Sequence, residues 1–149
     1  MRLVSIDPGV RHCGVAVWDD GELTEAYLAQ SPKDAPWLAF LPQLPAKTDQ
    51  GVMEVPMIYP GKPVRHEDLI QLSASAGAIA GYIKGSWTQT RPSVWTRATC
   101  QDKAIRLERA WTKLTKVEQA RVELPSTKLR KADVLDAVAL GLYFLRRWA

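Results

Sequence analysis

Hydrophobic and polar positions alternate in three short segments at the start of the chain. Residues 2 to 7 (RLVSID), 14 to 18 (GVAVW) and 22 to 29 (ELTEAYLA) are rich in β-branched and apolar residues. Turn residues separate them, with Pro8 and Gly9 after the first segment and Asp20 and Gly21 after the second. Short apolar runs joined by tight turns are typical of neighbouring strands, so the pattern predicts a three-stranded meander.

The next segment, residues 31 to 50, is interrupted by prolines at positions 32, 36, 42 and 45. Because proline breaks helices, this segment is predicted to be a long connection with at most a turn or two of helix around residues 37 to 41. Residues 51 to 55 (GVMEV) predict a fourth strand that ends at Pro56. The sequence PMIYPGKP that follows is predicted to be a loop.

Helical spacing dominates the second half of the chain. Residues 67 to 84 begin with acidic residues and end with Lys84, as the helix dipole favours. Residues 87 to 94 predict a fifth strand, residues 102 to 115 a basic amphipathic helix, and residues 131 to 148 a helix with an apolar face. This order of elements predicts an α/β fold with a five-stranded mixed sheet flanked by helices, in one domain that spans residues 1 to 149.

Composition narrows the class of protein. The chain has 149 residues, of which 46% are hydrophobic and 24% charged, as in one globular domain. No apolar segment approaches the roughly 18 residues that cross a membrane, so neither a signal peptide nor a membrane partner is expected. Cys13 and Cys100 are far apart and lack metal-site spacing, which indicates neither a disulfide framework nor a zinc site and favours the cytoplasm.

Charge is distributed unevenly between the two halves of the chain. Residues 1 to 83 carry a net charge of −4 and residues 84 to 149 a net charge of +8. A basic half of this kind is typical of a surface that binds a polyanion. A solvated basic face with no partner explains the same charges equally well.

Two carboxylates in the last predicted helix are candidates for metal binding. Asp133 and Asp136 are three residues apart, so both lie on one helix face, and their neighbours are apolar. Like charges near a core repel each other, and a divalent cation is the usual compensation. The alternative is that one of the two faces solvent or pairs with Arg130 or Lys131.

Two further carboxylates belong to predicted strands. Glu54 lies within the apolar fourth strand and would approach Asp7, at the end of the first strand, if these strands are neighbours. The alternatives are a solvated face for Glu54 and a turn-capping role for Asp7. If the four acids converge, their oxygens suit two Mg²⁺ or Mn²⁺ ions, and a pair of ions about 3.5–4 Å apart serves phosphodiester hydrolysis. A rigid strand end would let Asp7 bridge both ions.

Three segments resemble one known family when they are taken in order. SIDPGVRHCGVAV, MEV and DVLDAVALGLY resemble the RuvC-type Holliday-junction resolvases, over nearly the whole chain from residue 5 to residue 144. The resemblance implies a ribonuclease H-like fold and a magnesium-dependent endonuclease of DNA recombination and repair, in a compact, phage-type form. It also implies that Asp7, Glu54, Asp133 and Asp136 are the metal-binding catalytic acids and that Lys103 lies near the scissile phosphate.

The same resemblance implies a homodimer and a DNA surface. The Ala- and Gly-rich helix at about residues 67 to 84 corresponds to the dimer interface of the family, although packing on the sheet explains its composition as well. The loop after Glu54 corresponds to one that inserts an apolar side chain at the junction centre, for which an ordinary capping contact is the alternative. Basic side chains would hold the DNA backbone, unless they form only a solvated face. The predicted DNA-binding residues are Met57, Ile58, Tyr59, Lys62, Arg97, Lys103, Arg106, Arg109, Lys113 and Lys116.

The sequence departs from the family between the third and fourth strands. The proline-rich residues 31 to 49 cannot form the long helix found there, so that face of the sheet should be covered differently. The expected activity is resolution of four-way junctions by paired symmetric nicks, in a bacterial cell or a phage-infected host. The alternatives are a less selective branched-DNA or flap nuclease and a non-catalytic junction-binding domain. An IDPG start also resembles the phosphate loop of actin-like ATPases, which are built from two such domains.

Overall fold

One five-stranded sheet organises the chain. The computed structural model describes residues 1–57, 61 and 63–149, and its strands lie in the order β3-β2-β1-β4-β5. The strands are β1 (Arg2–Pro8), β2 (His12–Asp19), β3 (Glu22–Gln30), β4 (Lys47–Glu54) and β5 (Lys84–Thr90). The first three form the predicted antiparallel meander, whereas β4 runs parallel to β1 and β5 parallel to β4. The predicted mixed sheet is therefore confirmed.

Five helices accompany the sheet in the described part of the chain. They are α1 (His66–Tyr82), α2 (Pro92–Thr99), α3 (Lys103–Lys113), α4 (Lys116–Gln119) and α5 (Lys128–Phe144). Asp102 and Thr127 begin α3 and α5, because their side chains accept hydrogen bonds from amides in the first turn. None of these helices is long and apolar enough to cross a membrane.

Two strand boundaries differ from the prediction. β4 begins at Lys47 rather than at residue 51, because Thr48 and Asp49 hydrogen-bond to the backbone of Arg2 and tie a polar stretch to β1. The fifth strand covers residues 84 to 90 rather than 87 to 94. Pro92 is the first residue of α2 instead, a position that its fixed φ and missing N–H group favour.

Two helix boundaries also differ. Because Lys84 belongs to β5, α1 ends without a basic residue in its last turn. The last helix spans residues 128 to 144 rather than 131 to 148, which leaves Arg147 outside it. The helices α2 and α4 are not predicted by apolar periodicity, because they have only eight and four residues.

Each face of the sheet is covered in its own way. On one face, α5, α2 and α3 pack over β1 to β4 and bury a core that includes Trp18 and Val138. On the other face, α1 and the proline-rich connection pack over side chains such as Ile6. That connection holds one short 3₁₀ turn, Leu41–Gln43. Phe40 and Leu44 of this connection cover the sheet, in line with the expectation that a segment without a long helix covers this face.

Helix α5 lies in direct contact with the first two strands. A Cβ at Gly14 of β2 would lie 2.0 Å from the carbonyl oxygen of Asp133, so only glycine permits this approach. Below it, the buried Ser5 hydroxyl donates to the carbonyl of Ala137 at 2.8 Å and accepts from the indole N–H of Trp18 at 3.1 Å. These contacts fix the height of α5 over β1 and β2.

A buried ion pair joins the end of the chain to β3. Arg147 donates two hydrogen bonds to Glu118, at 2.7 and 2.9 Å, and its guanidinium lies 5.6 Å from the ring centroid of Trp18. The backbone amides of Leu23 and Thr115 also donate to Glu118. Although burial acts in the opposite direction, these hydrogen bonds lower the pKa of Glu118 to about 2.

The close approach at Gly14 is testable by substitution. Gly14→Ala should destabilise the fold by about 2 kcal/mol, because overpacking against backbone forces α5 to shift. Gly77→Ala is the matched control, since a Cβ at this helical position meets nothing within 4 Å and alanine favours helix. Urea unfolding measures both variants, and equal stabilities would show that α5 does not depend on Gly14.

The Glu118–Arg147 pair predicts a defined dependence of stability on pH. The pKa of Glu118 is lower in the folded chain than its ordinary value of 4.5, so the stabilisation is complete above about pH 4.5 and is lost as pH falls toward 2. Glu118→Gln should therefore cost about 2 kcal/mol at pH 7. The difference in melting temperature from the wild type should shrink between pH 5 and pH 2. A difference that is constant over this range would contradict the assignment.

Candidate active site

The four predicted acids line one cleft at one edge of the sheet. β1 and β4 are adjacent and parallel, with Ile6 paired to Met53, so the residues that follow these two come to the same edge. Asp7 and Glu54 are those residues, and α5 brings Asp133 and Asp136 over them. The cleft has a volume of about 580 Å³. The expected convergence of these side chains is therefore found, and what they bind there stays a prediction.

Asp7 lies at the centre of the negative charge. It belongs to β1, opposite Gly14, and accepts no hydrogen bond from the described residues, so it is not a turn cap. Burial raises the pKa of Asp7 well above its ordinary value, and the charges of Asp136, Asp133 and Glu54 raise it further. A carboxyl group in this position is ionised at low cost only when a cation is close.

Basic side chains hold the two acids of α5. Lys103 lies 2.9 Å from Asp136 Oδ2, and Arg106 lies 3.4 Å from Asp136 Oδ1. Arg130 lies 2.8 Å from Asp133 Oδ2, so one of the pairings expected as an alternative is present. Burial lowers the pKa of Lys103, but the hydrogen bond to Asp136 and its charge outweigh this and raise the pKa overall. Lys103 is therefore charged and in place beside the acids.

Histidine adds to the group around Asp133. His12 Nε2 lies 3.4 Å from Asp133 Oδ2 and also contacts the Arg130 guanidinium. Burial and the charge of Arg130 lower the pKa of His12, so the neutral ring prevails at physiological pH. A neutral imidazole leaves Arg130 as the cation that offsets Asp133.

Glu54 is held by an aromatic side chain. The indole N–H of Trp95, in α2, donates to Glu54 Oε2 at 2.7 Å. Burial raises the pKa of Glu54 overall, although the hydrogen bond from Trp95 acts in the opposite direction. Glu54 therefore faces the cleft and Trp95. The alternative, that Glu54 lies on a solvated face of the strand, is wrong.

The donor set suits a hard divalent cation. Four carboxylates offer only oxygen ligands, which Mg²⁺ and Mn²⁺ prefer, and Asp7 has no other compensating contact among the described residues. In the described part of the chain, no three acidic, histidine or cysteine side chains are already gathered closely enough to hold an ion. Lys103, Arg106 and Arg130 neutralise the acids instead, and Lys103 has an exposed side chain that can move away.

The predicted DNA-binding residues fall into three groups. Lys103 and Arg106 line the cleft. The prediction that Arg106 belongs to the exposed basic face of α3 is wrong, because its side chain is buried. Apolar spacing did not reveal this burial, since Arg106 stacks on Trp95 of an unpredicted helix. Four others are exposed on α2, α3 and α4, outside the cleft: Arg97, Arg109, Lys113 and Lys116.

The loop after β4 is only partly described. Met57 is exposed and does not line the cleft. Ile58, Tyr59 and Lys62 lie outside the described residues. The prediction that this loop inserts a side chain at a junction centre stays a prediction.

Three residues at the site were not among the predicted site residues. Trp95 was missed because α2 is short and its residues were assigned partly to a strand. Arg130 was considered only as an alternative partner of an aspartate. His12 lies within the first motif as the first residue of β2, and this place just after the turn that follows Asp7 was the available signal.

The sheet order, with an antiparallel meander followed by two parallel strands and a helix packed across the first two, defines the ribonuclease H-like fold. Solved structures with this fold match nearly the whole chain. RuvC of T. thermophilus in complex with a Holliday-junction substrate matches with a TM-score of 0.65 and 15% identity, over 98% of this chain and 95% of that one.

Two further structures support the same fold. A Thermus thermophilus RuvC structure has a TM-score of 0.54 and 13% identity, and covers 96% of this chain and 92% of its own. A Fowlpox virus resolvase in complex with substrate Holliday-junction DNA has a TM-score of 0.53 and 11% identity, over 98% and 97% of the two chains. The sequence matches no protein-family model and has no significant similarity to a curated protein.

The environment of Asp7 predicts that its ionised carboxylate lowers the free energy of unfolding of the wild-type protein. Because the pKa of Asp7 is raised in the folded chain, its ionisation destabilises the fold above its ordinary pKa of 3.8. Asp7→Asn should therefore raise the melting temperature at pH 7 in EDTA, and the gain should shrink as pH falls toward 4. Calorimetry over this pH range measures the effect. A lower melting temperature at pH 7 would contradict the described electrostatics.

Proposed function

We propose that this chain is a structure-selective DNA endonuclease that resolves four-way junctions by metal-dependent hydrolysis, with paired symmetric nicks. The observation that carries the proposal is the set of four carboxylates in one cleft of a ribonuclease H-like fold. Proteins with the same fold have been solved with Holliday-junction DNA, which favours branched DNA as the substrate class.

The acids are the proposed metal ligands. Asp7, Glu54, Asp133 and Asp136 would hold two Mg²⁺ ions, for which Mn²⁺ should substitute. When bound, such ions supply an activated water and stabilise the leaving oxygen of a phosphodiester. Asp7 would be the central ligand of this set, because the charges of the other three acids all act on it.

Lys103 has two roles in this proposal. Without a divalent cation it neutralises Asp136 across 2.9 Å. Its side chain is about half exposed, 55% by relative area, so it can leave the carboxylate and contact a DNA phosphate at the mouth of the cleft. An ammonium on a flexible stem is suited to such an exchange of partners.

Exposed cations on neighbouring helices are the proposed DNA surface. Arg97, Arg109, Lys113 and Lys116 would contact the phosphate backbone, which orients DNA without reading its sequence. Junction recognition must then come from shape and from the separation of two sites. This argument leads to a dimer, because a four-way junction has approximate two-fold symmetry.

Helix α1 is the proposed dimer surface. Its outward face carries Ile70, with 67% of its area exposed, followed by the small residues Ala74, Gly77 and Gly81. Small side chains allow a second helix to approach closely. The described residues leave this face uncovered, which supports the homodimer that the family resemblance implies.

The proposal is tested by cleavage of labelled four-way junctions, flaps and linear duplexes in Mg²⁺, Mn²⁺ and EDTA. Asp7→Asn should reduce junction cleavage by at least about 100-fold, since losing even an outer-shell partner of a metal site costs about 10–100-fold. Its affinity for the junction should persist, because the basic surface is unchanged. Asp34→Asn, which removes an exposed acid that does not line the cleft, is the matched control and should cut normally.

The outcomes separate the candidate functions. Paired nicks confined to the junction and abolished by EDTA support a resolvase. Comparable cutting of flaps supports the less selective nuclease. Tight junction binding with no cutting of any substrate supports the non-catalytic binding domain and overturns the proposed activity.

A further inference from the structure

A stacked pair of side chains, one from α2 and one from α3, forms part of the wall of the cleft. Trp95 is 2% exposed, and the Arg106 guanidinium lies 4.9 Å from its ring centroid. Each member of the pair contacts a different acid of the cleft, Glu54 and Asp136. We propose that Trp95 and Arg106 are positioning residues that hold these two carboxylates in place for divalent cations. This inference rests on the proposed metal-dependent function.

The contact of Trp95 with Glu54 is directional. Indole nitrogen is a donor only, and its single N–H points to Glu54 Oε2 at 2.7 Å. The second oxygen, Oε1, receives no hydrogen bond from the described residues. A carboxylate held by one oxygen presents the other to the cleft in a fixed direction. Outer-shell donors of this kind orient metal ligands.

Arg106 contacts the other carboxylate, Asp136 of α5. Its Nη1 donates to the carbonyl of Cys100 at 2.8 Å, and its Nη2 lies 3.4 Å from Asp136 Oδ1. Because only 7% of its side chain is exposed, Arg106 cannot move out to contact a DNA phosphate as Lys103 can. Its planar guanidinium fits between the Trp95 ring and the acid, a geometry that an ammonium group cannot reproduce.

The burial of Arg106 has a cost that packing alone does not offset. Its Nε is buried and finds no hydrogen-bond partner among the described residues. An unpaired buried donor costs about 1–3 kcal/mol, and such groups in native structures call for an explanation. An apolar side chain would fill this space without the cost. A role in holding Asp136 explains why an arginine is present.

The pair also connects two elements that repulsion would separate. Glu54 belongs to β4 and Asp136 to α5, and each carries a charge that acts on the other. The Trp95–Arg106 contact crosses between them, so the two carboxylates keep their separation before any cation binds. A preformed ligand set loses less free energy to ordering when the ion enters.

Trp95→Phe is the test, since it keeps an aromatic ring beneath Arg106 and removes the N–H together with the rest of the five-membered ring; the matched Trp→Phe control accounts for the lost volume. Its affinity for Mn²⁺, measured by calorimetry without DNA, should fall by about 10-fold, within the range of about 10–100-fold for outer-shell partners. The maximal rate of junction cleavage should fall by a similar factor, whereas junction affinity in EDTA should stay unchanged. The indole N–H resonance that this variant loses should shift in the wild type on Mg²⁺ titration.

Trp87→Phe is the matched control. It removes an indole N–H that donates to the carbonyl of Ile83, in the core on the opposite face of the sheet, and should not change Mn²⁺ affinity. Arg106→Lys is a second variant, which keeps the charge and loses the planar stacking. It should weaken Mn²⁺ binding as Trp95→Phe does, and the double variant should lose less than the product of the two effects.

Three results would overturn the inference. Wild-type Mn²⁺ affinity in both Trp95→Phe and Arg106→Lys would show that the pair only fills space. An equal loss of Mn²⁺ affinity in Trp87→Phe would show that the effect reports general destabilisation. A wild-type protein that neither binds Mn²⁺ nor cleaves DNA would overturn the proposed function itself, which distinguishes that failure from failure of the positioning role.

Discussion

The direct packing of α5 on β1 and β2 is the constraint on which the site depends. Gly14 admits the backbone of Asp133, and a Cβ at Gly141 would lie 2.3 Å from the Trp18 indole nitrogen, so the helix touches the sheet at both points. Ser5 bonds the helix between them. Because glycine permits a close approach at both points, the acids of α5 come beside the acid at the end of β1. A helix held further away would leave Asp7 without its neighbours.

This closeness produces an electrostatic conflict that the fold resolves locally. Four carboxylates in one cleft repel each other, and burial adds to the cost of charging Asp7. The chain supplies Lys103, Arg106 and Arg130 at the acids of α5, but no cation lies within ion-pairing distance of Asp7 among the described residues. The remaining unfavourable charge at Asp7 is the part that a divalent cation would relieve. Stability is thus given up at the position proposed to bind the metal.

Much of the fold and the four acids could be predicted from the sequence, because their signals are local or ordered along the chain. Alternating apolar residues and tight turns define the meander, and three-residue spacing puts Asp133 and Asp136 on one face. The missed features depend on contacts between distant segments. Thr48 extends β4 only because it bonds to Arg2, and Arg106 is buried only because Trp95 lies beneath it. A two-turn helix such as α2 carries too few residues for periodicity to reveal.

The basic second half is also less available to DNA than its net charge of +8 suggests. Arg147 is paired with Glu118, and Arg130 with Asp133, so part of the positive charge balances buried acids. Only the exposed cations can displace counterions from DNA phosphates. The salt dependence of DNA binding should therefore follow the number of exposed cations rather than the formal net charge. Lys103 belongs to both sets, because it is paired with Asp136 and yet half exposed. Loading the acids with metal would therefore transfer a positive charge from the interior of the site to the surface that faces DNA. In the proposed function, metal binding and DNA binding would be coupled through that one side chain, and each should favour the other.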